Sequence, residues 1–239
     1  MTSIGRMGYS DSDATDGLGF IYKNNSLLYE ASLMIGASTT QVSNNTRNDS
    51  GAADQHFAKK IRVYKEDDAD VAFTGISEFD DSLSPKPINI TVKNTVRAYS
   101  NSPDDKYVIT EYELKNKSFN ALSGIYLGLF TDWDVDKNGN DIALYDVFNR
   151  LGYVTSKFGG TSYAGVKLLT TTGIPIFNPM SYEIVGDPLE DRNGFSISEK
   201  FLSLTSGIKS TSLGENAPNG YDVMFVSGTD LLIFLQMVR

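Results

Sequence analysis

Apolar side chains recur in this chain at every second residue far more often than at every third or fourth, which points to stacked sheets rather than a helical bundle. Ile88, Ile90 and Val92 alternate with Asn89, Thr91 and Lys93, so one face of that segment is built for a core and the other for water. Residues 125–130 are apolar without alternation, as expected of a central strand covered on both faces. Further strands are expected at 60–64 and 70–76, around the charged turn Glu66-Asp67-Asp68, and at 107–114, 165–169, 221–226 and 231–238. Residues 17–37 read as a hairpin turning at Lys23, Asn24 and Asn25. Residues 41–54 are polar and Asn/Ser-rich, which reads as a surface loop.

One helix is expected near 197–206. Ser196 and Glu199 have capping-box spacing, Ile197, Phe201, Leu204 and Ile208 share one face, and Gly207 stands where a helix would stop. The fold class expected is therefore mainly β, an antiparallel β-sandwich with one short helix. It is expected as a single domain over 1–239, with 1–16 a loose N-terminal segment and 228–239 a truncated or frame-shifted end.

Composition narrows the chemistry. The 21 Lys and Arg against 30 Asp and Glu give a net charge of −9, which argues against a nucleic-acid or anionic-membrane partner. Without cysteine there is no disulfide, thiolate ligand or thiol nucleophile, and with His56 as the sole histidine no metal site rests on two imidazoles. Residues 1–10 carry no basic stretch followed by an apolar one, so no signal peptide is visible in this chain. The apolar run 231–235 is too short to span a bilayer, so no membrane insertion is expected. No glycine-rich phosphate loop follows a strand into a helix.

The most specific local pattern runs from Asp132 to Asp141. Asp134, Asp136 and Asn138, followed by Gly139, match the first half of a calcium loop, in which alternate residues of a tight turn aim oxygens at one point. Asn140 and Asp141 complete the candidate metal ligands, Asp134, Asp136, Asn138, Asn140 and Asp141. Loop position twelve is Tyr145, with Asp146 one residue later, so this is not an EF-hand. A structural calcium turn and a solvated Asx-type turn both stay open. Asp11, Asp13 and Asp16 form a second, less regular acidic cluster, read as a flexible loop.

Two segments invite an enzymatic reading. Gly160-Thr-Ser-Tyr-Ala164 resembles the G-T-S-x-A segment around the nucleophile of subtilisin-like peptidases. That chemistry needs a helix N-terminus, a His base and an orienting Asp. Here Ser162 precedes a strand-like run, and His56 lies in Asp54-Gln-His-Phe57. Asp132 and Asp134 beside Trp133, the sole tryptophan, have the composition of a sugar site, against the plainer reading that Trp133 seals the end of an apolar strand.

Arg97-Ala-Tyr99, the run 103–112 and Gly128-Leu-Phe-Thr-Asp-Trp-Asp134 resemble the β-rich region downstream of the catalytic domain in secreted subtilisin-like peptidases of Bacteroidetes-type bacteria. Residues 17–22, 28–31 and 34–36 fit the same picture, so the likeness spans about 5–225. Such proteins often end in a type IX secretion sorting domain. The resemblance implies a secreted or cell-surface, non-catalytic accessory module within a longer chain. Its partners would be a neighbouring domain or an extracellular polymer, and no active-site residue carries over. The alternative is a carbohydrate-binding or carbohydrate-active β-protein using 132–134.

Overall fold

A computed structural model describes residues 1–8, 20–22, 25–50, 52–135, 141–146, 148–156, 158–159, 162–170, 176–181, 196–205, 221–227 and 231–238, the segments 176–181, 221–227 and 231–238 by their backbone. In chain order the strands are β1 (Met7–Gly8), β2 (Ile21–Tyr22), β3 (Asn25–Ser26), β4 (Leu28–Ser38), β5 (Gln41–Asn44), β6 (Ala58–Glu66), β7 (Phe73–Asp80) and β8 (Ile90–Ala98). They continue with β9 (Tyr107–Asn116), β10 (Tyr126–Trp133), β11 (Asp141–Asp146), β12 (Leu151–Ser156), β13 (Tyr163–Thr170), β14 (Ile176–Ser181), β15 (Tyr221–Ser227) and β16 (Leu231–Val238). The single described helix is α1 (Ile197–Thr205).

The strands form two large antiparallel sheets and one small pair. The first sheet runs β1-β4-β10-β15-β14, with β5 beside the same edge of β4 as β1. The second runs β11-β12-β13-β16-β9-β8-β7-β6, and β2 pairs with β3 alone. The chain is thus mainly β with one helix, as the alternation predicts.

Leu33, Ile35, Leu127 and Leu129 of the first sheet meet Phe79, Val92, Tyr112, Val154 and Val166 of the second in one buried core. At about 1.5–3 kcal/mol for each large aliphatic or aromatic side chain taken out of water, this is the main force closing the sandwich. A smaller cluster of Met34, Val42, Phe130 and Leu204, flanked by Ile197 and Phe201, lies under α1 on the other face of β4 and β10. That second cover explains why 125–130 lacks alternation: β10 is apolar on both faces because both are buried.

The capping box forms as read. The Glu199 N–H donates to Ser196 Oγ at 3.4 Å, and the Ser196 N–H donates to Glu199 Oε2 at 3.2 Å. Gly36 lets the helix approach, because a Cβ there would lie 2.7 Å from Leu204 Cδ1 and 3.0 Å from Phe201 Cδ2.

Three expectations need correction. Residues 41–54 are not a surface loop: 41–44 form β5, and 42–47 are buried. Residues 1–8 are not loose, since Met7 and Gly8 pair with Ala31 and Glu30; residues 9–19 lie outside the described residues. Asp141 opens a strand, β11, rather than closing a loop, and β11, β12 and β14 carried too little alternation to be seen. The strand expected over 231–238 is β16, paired on one side with β13 and on the other with β9.

Candidate functional site

The densest group of ionisable side chains lies on the outer face of the first sheet, under α1 and the connection from β5 to β6. Register sets Glu30 of β4 directly opposite Asp132 of β10. Two carboxylates on adjacent strands repel unless a cation joins them. Arg47 joins them, its Nε donating to Glu30 Oε1 at 2.7 Å and its Nη2 to Asp132 Oδ2. Arg6 donates from the far side to Glu30 Oε2 at 3.1 Å. Arg47 is 4% exposed, and its guanidinium also lies 5.2 Å from the Tyr29 ring centre and 5.9 Å from that of Phe130.

The 44–56 connection folds its polar side chains inward. Asn44 Oδ1 accepts from the Thr46 N–H at 3.0 Å and from Thr46 Oγ1 at 2.6 Å, an Asx-type turn. Asn44 Nδ2 donates to Asp54 Oδ2 at 3.0 Å. Lys200, on the buried side of α1 and 1% exposed, donates to Asp54 at 2.8 Å and to Asn44 Oδ1 at 3.0 Å. Burial pushes the Lys200 ammonium pKa down, with Asp54 pulling the other way. One lysine therefore pins the helix to the connection.

His56 is buried, not a solvated loop residue; its Nδ1 sits 3.2 Å from the Val42 carbonyl oxygen. Desolvation lowers its pKa, against the attraction of Asp54. Its hydrogen-bond partners are Val42 and Asn44. Ser162 stands just before β13, in the second sheet, where its carbonyl accepts from Thr155 Oγ1 at 3.2 Å. The subtilisin-like nucleophile setting, a serine opening a helix, is absent at Ser162.

Trp133 is 2% exposed and meets Phe20 edge-on, ring centres 6.1 Å apart. It closes the end of the core. Asp134 is exposed, and the protein around its carboxyl raises its pKa while Arg47 opposes that. Asp141 is buried, and its Oδ2 accepts from the Val135 N–H at 3.0 Å. Asp136, Asn138 and Asn140 lie outside the described residues. Among the described residues, no three His, Cys, Asp or Glu side chains gather as a metal site. Two shallow clefts of about 350 Å³ flank the turn after β6, one lined by residues 65–69 and 71–74, the other by 69–72 with Tyr99 and Asp104; neither includes Trp133 or its acids.

Sequence reading found Asp132 but missed its partners. Arg6, Glu30, Arg47, Asp54 and Lys200 are brought together only by strand register and helix docking, across separations of 17 to 146 residues. One signal was present: Lys200 falls between Ile197 and Leu204 on the apolar side of the helix.

In charge the cluster closes on itself. Glu30, Asp132 and Asp54 contribute three negative charges, and Arg6, Arg47 and Lys200 three positive ones. Each of these carboxylates is ion-paired within the cluster.

No family model and no curated protein matches the chain. Among solved structures it is similar to one titled "Crystal Structure of Heparinase III", with a TM-score of 0.37 and 8% identity over 82% of this chain and 23% of that one. The chain spans less than a quarter of that protein's length, and a likeness this distant carries neither ligand nor activity across. Among the described residues, no helix is long and apolar enough to cross a membrane.

Proposed function

We propose that the chain is a non-catalytic β-sandwich module of a longer secreted protein, a subtilisin-like peptidase by the resemblance above. Its work would be to pack against a neighbouring domain or to bind an extracellular polymer. The observation that carries the reading is the charge-balanced cluster of Arg6, Glu30, Arg47, Asp132, Asp54 and Lys200, which commits these acids to holding strands, connection and helix together. The burial of Trp133 supports it, since a sugar platform needs an exposed ring face. Calcium held by Asp134, Asp136, Asn138, Asn140 and Asp141 belongs to this reading as a structural ion.

The parent is tested by sequencing the surrounding locus. An in-frame subtilisin-like domain upstream and a sorting domain downstream support it, and a separate short gene with its own promoter contradicts it. Catalysis is tested by incubating the chain with casein and with neutral and acidic polysaccharides. The expected result is no product above buffer. Turnover that disappears in Asp132→Asn would favour the carbohydrate-active alternative.

A further inference from the structure

A polar row runs through the apolar inner face of the second sheet. Register sets Ser77 of β7 opposite Asn94 of β8, and Asn94 opposite Tyr112 of β9. These side chains share the face of Phe79 and Val92, which are themselves paired two residues away. Thr110, two residues before Tyr112, lies on that face opposite Val96. Ser77, Asn94 and Thr110 have no exposed surface, and Tyr112 is 2% exposed.

Asn94 Nδ2 donates to Met1 Sδ at 3.0 Å. By contrast, Ser77 Oγ, Asn94 Oδ1, Thr110 Oγ1 and Tyr112 Oη have no hydrogen-bond partner among the described residues. Across the next strand boundary, Tyr112 and Thr110 face Leu231 and Ile233, aliphatic residues that neither donate nor accept. Single buried orphans occur in proteins; four grouped on three adjacent strands call for a common partner.

The spacing says what that partner is. Opposed residues hold their Cβ atoms about 4.5–5.5 Å apart. Ser77 Oγ and Asn94 Oδ1 make no direct hydrogen bond at this spacing, and one water between two such groups would complete two hydrogen bonds of about 2.8 Å. A buried water needs two to four polar partners, and three hydroxyls with one carbonyl meet that need. Burial also pushes the Tyr112 hydroxyl pKa up, so it remains a donor at neutral pH.

We propose that Ser77, Asn94, Thr110 and Tyr112 form an internal binding site for a small cluster of ordered water, beside the Met1 side chain. The site is independent of the proposed function. It makes the middle of the sandwich a hydrated seam between two apolar regions.

Water relaxation dispersion on the whole chain counts long-lived internal waters, and a thermal melt reads the energetic sign. Tyr112→Phe is expected to lose at least one long-lived water and to lower Tm, because the hydroxyl anchors solvent. An unchanged water count overturns the proposal. So does a raised Tm, which is what removing a hydroxyl stranded without any partner produces. Ser77→Ala, a smaller change, carries the same expected signs should Tyr112→Phe fail to fold.

Discussion

Glu30 and Asp132 face each other across adjacent strands, and Arg47 takes one oxygen of each. Glu30 and Arg47 are buried and Asp132 is half-buried, and their pairing acts as a clamp between strands and connection. The ion pair is not in itself a strong source of stability, since taking charges out of water costs about as much as their attraction returns. What is costly is to break it. Arg47→Met leaves Asp132 facing Glu30 without the cation that joins them, Arg6 remaining on Glu30 alone, and about 3–5 kcal/mol of unfolding free energy should be lost in urea titrations.

Lys200 fastens α1 in the same way. Lys200→Met removes a buried cation from Asp54 and Asn44 and should loosen both partners. Hydrogen exchange should speed up in 197–205 and in 44–56 together, while β8 and β9 keep their protection. Acceleration confined to the helix would contradict the link.

Gly36 should not tolerate a side chain. Gly36→Ala sets a methyl 2.7 Å from Leu204 Cδ1 and 3.0 Å from Phe201 Cδ2, so these side chains or α1 itself must shift. Overpacking of this kind costs about 1–3 kcal/mol, readable as a lowered urea midpoint.

Acid should weaken the fold through two groups with different windows. Asp80 is buried, which works to raise its pKa, but hydrogen bonds from Lys60, Ser82 and Lys117 outweigh this and hold it well below the usual carboxylate range. A carboxylate with a depressed folded pKa contributes stability above its unfolded value near 3.9, and loses it as pH falls further. The Tm gap between wild type and Asp80→Asn should therefore be widest at pH 6 and narrow towards pH 2.

His56 acts higher. Its folded pKa lies below the ordinary value, so the unfolded chain takes up the proton first and stability falls as pH drops from about 6.5. His56→Gln should flatten the decline between pH 7 and pH 5 relative to wild type. An equally steep decline in the variant would assign it to other groups.

Much of the fold was legible because it rests on local patterns. The alternation at Ile88, Ile90 and Val92, the two-sided apolar run of β10 and the capping box at Ser196 each depend on neighbours within a few residues. The buried cluster was not legible. Residues 41–54 have the composition of a surface loop, and only tertiary packing turns Asn44, Thr46, Arg47 and Asp54 inward. The spacing that makes Asp141 a candidate ligand is local, whereas its place at the start of β11, accepting from the Val135 N–H, is set by pairing with β12. Trp133 was read both ways, and its contact with Phe20 sets it in the core.

The central claim, that the buried acids serve the fold, is tested most directly by measuring the unfolding free energy of Asp132→Asn. Catalytic carboxylates are commonly held at a cost to stability, so neutralising one tends to stabilise the protein. The account predicts the opposite: Asp132→Asn weakens the Arg47 clamp and lowers stability, and adding Glu30→Gln and Arg47→Met together recovers part of the loss. A more stable Asp132→Asn variant would contradict it and return Asp132 to the role of an active-site acid.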